Sequence, residues 1–315
     1  MTSSSTDIVN RDTIMMAGAR IGPHIRRTPF MEIQAGDLLP DRPVVLKLEY
    51  MQHSGSFKAR GAFNAMLSRP VPEAGVIAAS GGNHGAAVAF AARKLGHNAE
   101  IFVPELASKA KIRRLEAYGA TVNVIGSVFA EALEACIARQ QETGALFLHP
   151  YDQPEILNGQ GTVALDFTAQ IPSVDTIMVS VGGGGLIGGM AAWCRGEFRL
   201  IGVEPETCNA LDAAMAAGQP VDVAVSGCAA DSLGAKQVGS LMYPYAEAYV
   251  DNVVTVPEEA IVEAQKLLWD RLRIAVETGA ATTLAGLLSG AYQPPPDAKV
   301  GVVLCGANLE PASVA

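Results

Sequence analysis

The stretch TIMVSVGGGGLIGGMAAWCRG, residues 176–196, runs from an apolar segment rich in β-branched residues into four consecutive glycines. The residues before the glycines are typical of a buried strand, and those after them have the composition of a helix. Glycines at this junction leave bare backbone N–H groups at the positive end of a helix dipole, which suits a phosphate. The stretch therefore predicts a strand, an anion-binding loop and a helix in succession.

The same alternation of strand and helix runs through the rest of the chain. Strand-like segments lie at 43–50, 75–80, 99–104, 121–126, 199–205 and 299–305, and helix-like segments at 56–69, 86–96, 108–119, 128–144 and 257–273. Apolar strands that alternate with helices indicate parallel sheets covered on both faces. Ligands bind such sheets at the carboxyl ends of the strands, so the candidate site residues lie there.

A second stretch, SGSFKARGAFNAM at 54–66, places one lysine among small residues. We expect Ser54 or Ser56 to cap a helix, and we expect Lys58 to be packed rather than solvated. Burial lowers the pKa of a lysine and makes it a nucleophile that can form an imine. The alternative is an ordinary amphipathic lysine on the surface of a helix.

Two further strand ends carry polar or reactive side chains. The segment SGGNHG, residues 80–85, offers backbone N–H groups for a carboxylate, and Asn83 can donate or accept a hydrogen bond there. Cys305 ends the last apolar strand, at the mouth of the predicted sheet. The alternatives are a helix start with a solvent-facing His84 and a cysteine that acts only as a small buried hydrophobe.

The tetraglycine segment also permits a dinucleotide site. Gly183, Gly185 and Gly188 match the GxGxxG pattern, and Glu204 ends the next strand about where a ribose-binding acid is expected. On this motif alone a dinucleotide-dependent oxidoreductase remains open. That interpretation leaves Lys58 and the SGGNHG segment without a role.

Composition limits the classes of partner. The chain has 315 residues, 49% of them hydrophobic and 17% charged, with a net charge of −9, which argues against nucleic acid or an anionic membrane as the main partner. We expect no membrane-spanning segment and no secretory signal. The five cysteines are scattered without metal-binding spacing, which predicts reduced thiols and a cytoplasmic location.

Seven stretches taken together resemble one family. In chain order they are SGSFKARGAFNAM, SGGNHG, HPYDQPEILNGQGT, VGGGGLIGG, GVEPE, AADSLGA and CGAN, and the resemblance extends from about residue 20 to the C-terminus. In this order they are similar to the serine/threonine dehydratase and serine racemase family, which has the tryptophan-synthase-β-type fold of pyridoxal phosphate enzymes (fold type II). The resemblance implies an α/β fold with two open, mostly parallel twisted sheets and helices on both faces.

The resemblance also implies a domain organisation. A large cofactor-binding domain comprises residues 1–71 and 146–315, and a small mobile domain, residues 72–145, closes over the substrate. The chain ends ten residues after Cys305, so it resembles the short form of these enzymes without a regulatory domain. Relatives of this kind suggest a homodimer.

Individual residues receive roles from the same resemblance. Lys58 holds pyridoxal 5'-phosphate as an imine and takes the α-proton, Phe57 lies against the cofactor ring, and Asn83 bonds the ring hydroxyl. Cys305 faces the pyridine nitrogen. The phosphate is bound by Gly182, Gly183, Gly184, Gly185 and Leu186, and the substrate carboxylate by Ser80, Gly81, Gly82, Asn83 and His84.

The implied reaction is β-elimination from a β-hydroxy amino acid. A neutral thiol at Cys305 makes the cofactor ring a weaker electron sink, which favours loss of the β-hydroxyl over racemisation. L-Threonine or L-serine is the expected substrate, and the products are a 2-oxo acid and ammonia. A bulkier or acidic 3-hydroxy amino acid, or serine racemisation, is the alternative.

Three positions depart from the racemases of this family. Gly81 stands where racemases carry a second serine that acts as acid and base, which argues against racemisation. Ala132 stands where an arginine can meet a second carboxylate, which disfavours an aspartate-like substrate. Some relatives bind a cation through the acid at Glu204 and a later acidic side chain. That later position is Ala210 here, so a monovalent or divalent cation is doubtful.

Overall fold

The computed structural model describes residues 8–310, which form two sheets of mainly parallel strands. The strands are β1 Phe30–Ile33, β2 Val44–Lys47, β3 Val76–Ala79, β4 Ala99–Val103, β5 Thr121–Val124, β6 Leu146–Phe147, β7 Thr176–Ser180, β8 Arg199–Pro205, β9 Asn252–Val256 and β10 Val300–Val303. The α/β fold class expected from the alternating segments is confirmed.

The larger sheet has six strands in the order β1-β2-β10-β7-β8-β9. Only the β1–β2 pair is antiparallel; the other neighbouring strands run parallel. Because parallel strands share one carboxyl edge, the residues that follow β2, β7, β8 and β10 lie on the same side of this sheet. The tetraglycine segment and Cys305 are therefore neighbours at that edge.

The smaller sheet has four parallel strands in the order β5-β4-β3-β6 and uses residues 76–147. Its loop 80–82 follows β3 and leads directly into a helix. The SGGNHG segment thus lies at the carboxyl edge of the smaller sheet.

Twelve α-helices surround the sheets within residues 8–310. They are α1 Arg11–Ile21, α2 Lys58–Leu67, α3 Asn83–Leu95, α4 Lys109–Ala117, α5 Phe129–Thr143, α6 Pro154–Gln170, α7 Gly185–Cys194, α8 Ala210–Ala217, α9 Ala230–Leu233, α10 Tyr243–Tyr249, α11 Glu258–Leu272 and α12 Thr278–Leu288. Helix α3 ends at Gly96, whose φ of 78° allows the left-handed C-cap that the sequence predicts. None of the helices in residues 8–310 is both long and apolar enough to cross a bilayer.

Helix α6 sets the distance between the lysine and the glycine loop. A Cβ atom at Gly159 would lie 2.6 Å from the Cα atom of Gly61 in α2, and one at Gly161 would lie 2.8 Å from the carbonyl oxygen of Gly189 in α7. Both contacts are too short for any side chain, so α2 and α7 pack against α6 backbone to backbone. This close packing fixes the start of α2 relative to the start of α7.

Candidate active site

Lys58 is the first residue of α2 and follows a tight turn. The turn contains Ser54 with φ 58° and Gly55 with φ 79°. The predicted serine cap is wrong: Phe57 occupies the N-cap position without a side-chain hydrogen bond, and the hydroxyls of Ser54 and Ser56 are buried without a partner in residues 8–310. The turn is instead held by backbone bonds to residues 305–307, which orient the chain before the helix begins.

The amine of Lys58 is directed into the protein. Its Nζ atom donates a 2.7 Å hydrogen bond to the carbonyl oxygen of Pro150 and lies 5.1 Å from the centroid of the Phe57 ring. Burial lowers the pKa of Lys58 to about 8, although the carboxylate of Glu277 opposes that shift. A substantial neutral fraction near physiological pH makes this amine a nucleophile and a proton acceptor.

The tetraglycine loop joins β7 to α7 and presents free N–H groups. Within residues 8–310, no backbone N–H from residues 182–186 donates a hydrogen bond. A Cβ at Gly183 would lie 2.3 Å from the ring of Tyr151, and one at Gly184, where φ is +85°, would lie 2.5 Å from Met242. The loop therefore requires glycine, and its N–H groups form a cradle for an anion at the N-terminus of α7.

Asn83 lies at the start of α3 and meets the large sheet's edge. Its Nδ2 atom donates to the Oε1 atom of Glu277 over 2.6 Å, and its Oδ1 atom accepts from Asn308. In the loop before it, the N–H of Gly82 donates to the Oγ atom of Ser80 over 3.2 Å. Asn83 is thus brought to Lys58 and Cys305 in one pocket, whereas Ser80 and Gly82 lie beside it.

His84 does not face solvent. It is 4% exposed, and its Nε2 atom lies 2.9 Å from the carbonyl oxygen of Leu148, so Nε2 carries the proton. Burial, reinforced by the charge of Lys58, lowers the pKa of His84 to about 3. The imidazole is therefore neutral, and any contribution to binding an anion comes without a charge.

Cys305 lies two residues beyond β10, at the floor of the pocket. Its Sγ atom is 3.5 Å from the Oγ atom of Ser180 at the end of β7. Burial and the neighbouring carboxylate of Glu277 raise the pKa of the Cys305 thiol to about 12. The thiol is thus neutral, as the sequence interpretation requires of the group that faces a pyridine nitrogen.

Sequence reasoning missed Glu277 and Asn308. Glu277 precedes α12, is 8% exposed and lines the same pocket as Lys58, Asn83 and Cys305. Its sequence context, ETGAATTLAG, is typical of an acid at the start of a helix, which is an ordinary capping position. The available signal in the sequence was an isolated acid amid small and apolar residues, with no basic residue beside it, which predicts a buried carboxyl group.

Glu204 has a different environment from a metal ligand. Its two carboxylate oxygens accept the backbone N–H groups of Leu211 and Asp212, over 2.9 and 2.8 Å, at the start of α8. Among the described residues there is no cluster of three or more acidic, histidine or cysteine side chains suited to a metal. The carboxylate therefore caps a helix, and it is not available to a ribose as a dinucleotide site requires.

The pocket residues fit pyridoxal phosphate. The lining comprises Phe57, Lys58, Asn83, Ser180, Val181, Gly182, Gly183, Gly184, Gly185, Leu186, Ile187, Ser232, Leu233, Glu277 and Cys305. One pocket thus contains a nucleophilic amine, an aromatic ring and an amide. It also contains a neutral group at its floor and the cradle of unused N–H groups, which suits a phosphate. A larger cavity of about 570 Å³ opens between α3 and α4, but its lining includes no lysine.

Comparison with known proteins agrees with this chemistry. The family model described as "Pyridoxal-phosphate dependent enzyme" matches residues 21–306. The chain belongs to this family. Pyridoxal phosphate is accordingly its cofactor, and the match spans both sheets and all the pocket residues.

Individual relatives fall into two activity classes. The chain is 36% identical over 311 residues to serine racemase of Arabidopsis thaliana, covering 96% of this chain and 94% of that protein. It is 37% identical over 302 residues to L-threonine ammonia-lyase of Geobacter sulfurreducens, covering 94% and 75%. The solved structure of maize serine racemase superimposes with a TM-score of 0.91 at 32% identity, covering 97% of this chain and 95% of that one.

Proposed function

We propose that this protein is a pyridoxal phosphate-dependent dehydratase that converts L-threonine or L-serine to a 2-oxo acid and ammonia. The observation that carries the proposal is the pairing of a neutralisable amine at Lys58 with an un-ionised thiol at Cys305 in one pocket. When bound, the cofactor supplies an electron sink for the negative charge that develops at the α-carbon.

Lys58 supplies both the anchoring amine and the base. Its Nζ atom is held by the Pro150 carbonyl, which accepts a hydrogen bond and so orients the amine's lone pair. With a pKa of about 8, the released amine can accept the α-proton near neutral pH. Loss of the β-hydroxyl as water, followed by hydrolysis of the resulting enamine, yields the 2-oxo acid and ammonia.

The thiol of Cys305 favours elimination. Because its raised pKa keeps the thiol neutral, Cys305 would offer no anionic partner to a protonated ring nitrogen, and the bound cofactor would stabilise charge at the α-carbon less. A weakly stabilised negative charge at the α-carbon, with a leaving group on the neighbouring carbon, would favour loss of that group over reprotonation. We therefore assign β-elimination as the main reaction.

Racemisation is the second candidate because a serine racemase is among the relatives, at 36% identity. Gly81 has room for the side chain that racemases carry there. A Cβ atom there would meet only Val103 at 3.5 Å and Ala107 at 3.6 Å, which are ordinary contacts. The serine that acts as acid in racemases would therefore fit. Glycine supplies no acid on that face, so we expect little D-serine from the wild-type protein and more from Gly81→Ser.

Several further roles belong to this proposal. We propose that residues 72–145 form a small domain that closes over the substrate and excludes water, and that residues 80–84 bind the substrate carboxylate. The ion pair between Lys111 of α4 and Asp231 of α9 joins that region to the large sheet's side of the pocket, which supports closure. We also propose a homodimer that works in the cytoplasm, consistent with five unpaired cysteines.

The test compares Lys58→Ala with the matched control Lys109→Ala, which removes an exposed lysine of α4. Wild-type protein should be yellow with cofactor, lose that colour after borohydride, and release ammonia from threonine or serine. Lys58→Ala should lack the imine band and lose about 10²–10⁴-fold in turnover, because anchor and base are both removed. D-Serine as the main product would instead favour the racemase.

A further inference from the structure

Glu277 is a buried carboxyl group that the reaction described above does not use. It lies at the pocket wall, and no salt bridge within residues 8–310 involves it. An unpaired buried carboxylate is costly, so a protein retains one only where other interactions compensate. The hydrogen-bond partners of Glu277 therefore indicate why the carboxyl group is there.

Those partners determine how the amide of Asn83 is oriented. Asn308 donates from Nδ2 to the carbonyl oxygen of Ser54 over 2.9 Å, and the same nitrogen donates to the Oδ1 atom of Asn83. The Nδ2 atom of Asn83 then faces the Oε1 atom of Glu277, a group that accepts when ionised. Both ends of the Asn83 amide are thereby assigned, and one N–H of its Nδ2 atom remains for the pocket.

Glu277 is itself held firmly. Its backbone N–H donates to the carbonyl oxygen of Gly306 over 3.2 Å, and its carboxylate accepts the backbone N–H of Asn308. A Cβ atom at Gly306 would lie 2.4 Å from Oε1 of Glu277 and 3.3 Å from Nδ2 of Asn83. The segment after β10 thus supports the carboxylate and the amide together.

We propose that Glu277 is a positioning residue which holds Asn83 as a hydrogen-bond donor to the cofactor and supplies the negative charge that balances a protonated nitrogen at Lys58. This inference rests on the proposed function and deepens it. With cofactor bound, the neutral thiol of Cys305 would give the pyridine nitrogen no anionic partner. The carboxylate in this pocket belongs to Glu277, which lies beside Asn83.

The titratable groups around Glu277 come from three helices and from the segment after β10. Lys58 of α2 and Lys111 of α4 are the cations, and Asp231 of α9 and the un-ionised Cys305 complete the set. Burial raises the pKa of Glu277 to about 7, and the hydrogen bonds from Asn83 and Asn308 oppose that shift. The group therefore changes charge close to neutral pH, where it can influence Lys58.

Removal of the charge of Glu277 should change the pKa of Lys58 in one direction. An ionised Glu277 raises the pKa of the Lys58 nitrogen, so Glu277→Gln should lower it. The Gln side-chain oxygen still accepts from Asn83, so this variant removes charge and keeps the donor orientation. Glu277→Leu removes both, and the freed amide of Asn83 then has no acceptor on that side.

The experiment is a pH titration of the visible absorbance of the cofactor-loaded protein, together with the cofactor dissociation constant. Glu277→Gln should shift the midpoint to lower pH by about one unit or more, the effect of one nearby charge. Glu277→Leu should weaken cofactor binding about 10–100-fold, the value of a charged hydrogen bond. Glu259→Gln, an exposed acid at the start of α11, is the matched control and should change neither quantity.

The outcomes separate the two proposals. If wild-type protein gives no visible band with cofactor, the proposed function is overturned. If wild type gives the band and Glu277→Gln titrates with the wild-type midpoint, the charge-balancing role of Glu277 is overturned while the proposed function stands. If Glu277→Leu folds, as judged by circular dichroism, and binds cofactor with wild-type affinity, the positioning role is overturned.

Discussion

Glu204 and Glu277 are both buried carboxyls beside the start of a helix, and burial raises the pKa of both, to about 8 and about 7. Glu204 accepts only backbone N–H groups of the helix it caps. Glu277 accepts a hydrogen bond from the side-chain amide of Asn83, which itself faces the pocket. The same residue type in the same kind of position thus stabilises the fold in one region and orients a pocket residue in the other.

The two regions differ in whether the hydrogen-bond partners of the carboxyl group can change orientation. Backbone N–H groups at the start of α8 are fixed by the helix, so we expect Glu204 to act on stability. The amide of Asn83 has two possible orientations, and Glu277 selects one of them. A raised pKa therefore does not by itself indicate a functional residue, and the hydrogen-bond partners of the group must be considered with it.

Among the changes considered next, Gly306→Ala is expected to have the largest effect. Its added Cβ would displace the carboxylate of Glu277, which is the far end of a flexible side chain, and break the bond to Asn83 without moving backbone. We expect the cofactor dissociation constant to rise at least about tenfold, with the fold retained. Gly22→Ala, where a Cβ meets nothing within 4 Å, is the control. If Gly306→Ala bound the cofactor with wild-type affinity, Glu277, like Glu204, would have no role in the pocket.

Glu204→Gln should reduce stability and leave the pocket unchanged. Glutamine would turn its NH₂ group toward one of the two N–H donors, from Leu211 or Asp212, and lose that hydrogen bond. We expect a loss of about 1–3 kcal/mol in the free energy of unfolding, seen as a lower thermal midpoint. The pH midpoint of the visible absorbance should match that of wild type; a shift there would assign Glu204 to the active site.

The pH dependence of stability sharpens the same comparison. A carboxyl whose folded-state pKa is raised contributes stability below its unfolded pKa, and that contribution is lost as pH rises through the folded value. For Glu204 the loss runs from the unfolded pKa of about 4.5 to about 8. The thermal midpoint of wild type should therefore fall more steeply from pH 5 to 8, a range set by these values, than that of Glu204→Gln. If the thermal midpoints of wild type and Glu204→Gln changed with pH in parallel, the raised pKa of Glu204 would be contradicted.

The smallest effect is expected at the mouth of the pocket. Asp231 pairs with Lys111, but its side chain is 71% exposed, so solvent screens the pair. We expect Asp231→Asn to raise KM by up to about fivefold at low salt, equal to about 1 kcal/mol, and to match wild type at high salt. An effect that persists at high salt would show that Asp231 acts by another route than its charge.

Local composition determined much of this protein. Alternating apolar segments produced the two sheets because strand and helix periods differ and buried parallel strands need apolar side chains on both faces. The tetraglycine loop and the packed lysine could be predicted because residues without a Cβ let a ligand approach the backbone N–H groups closely and because small residues surround Lys58. The serine cap failed because contacts to residues 305–307, distant in the chain, hold that turn.

Only the tertiary structure decided the partners. Asn83 and Glu277 are 194 residues apart, and Asn83 and Asn308 are 225 apart, so no local pattern relates them. The direction of the Asn83 amide, the Pro150 acceptor of Lys58 and the use of Glu204 as a helix cap follow from strand order and from the close packing of α6 against α2 and α7. Sequence specifies which groups are present, and packing specifies which of them meet, because hydrogen bonds between side chains depend on distances that only the folded chain defines.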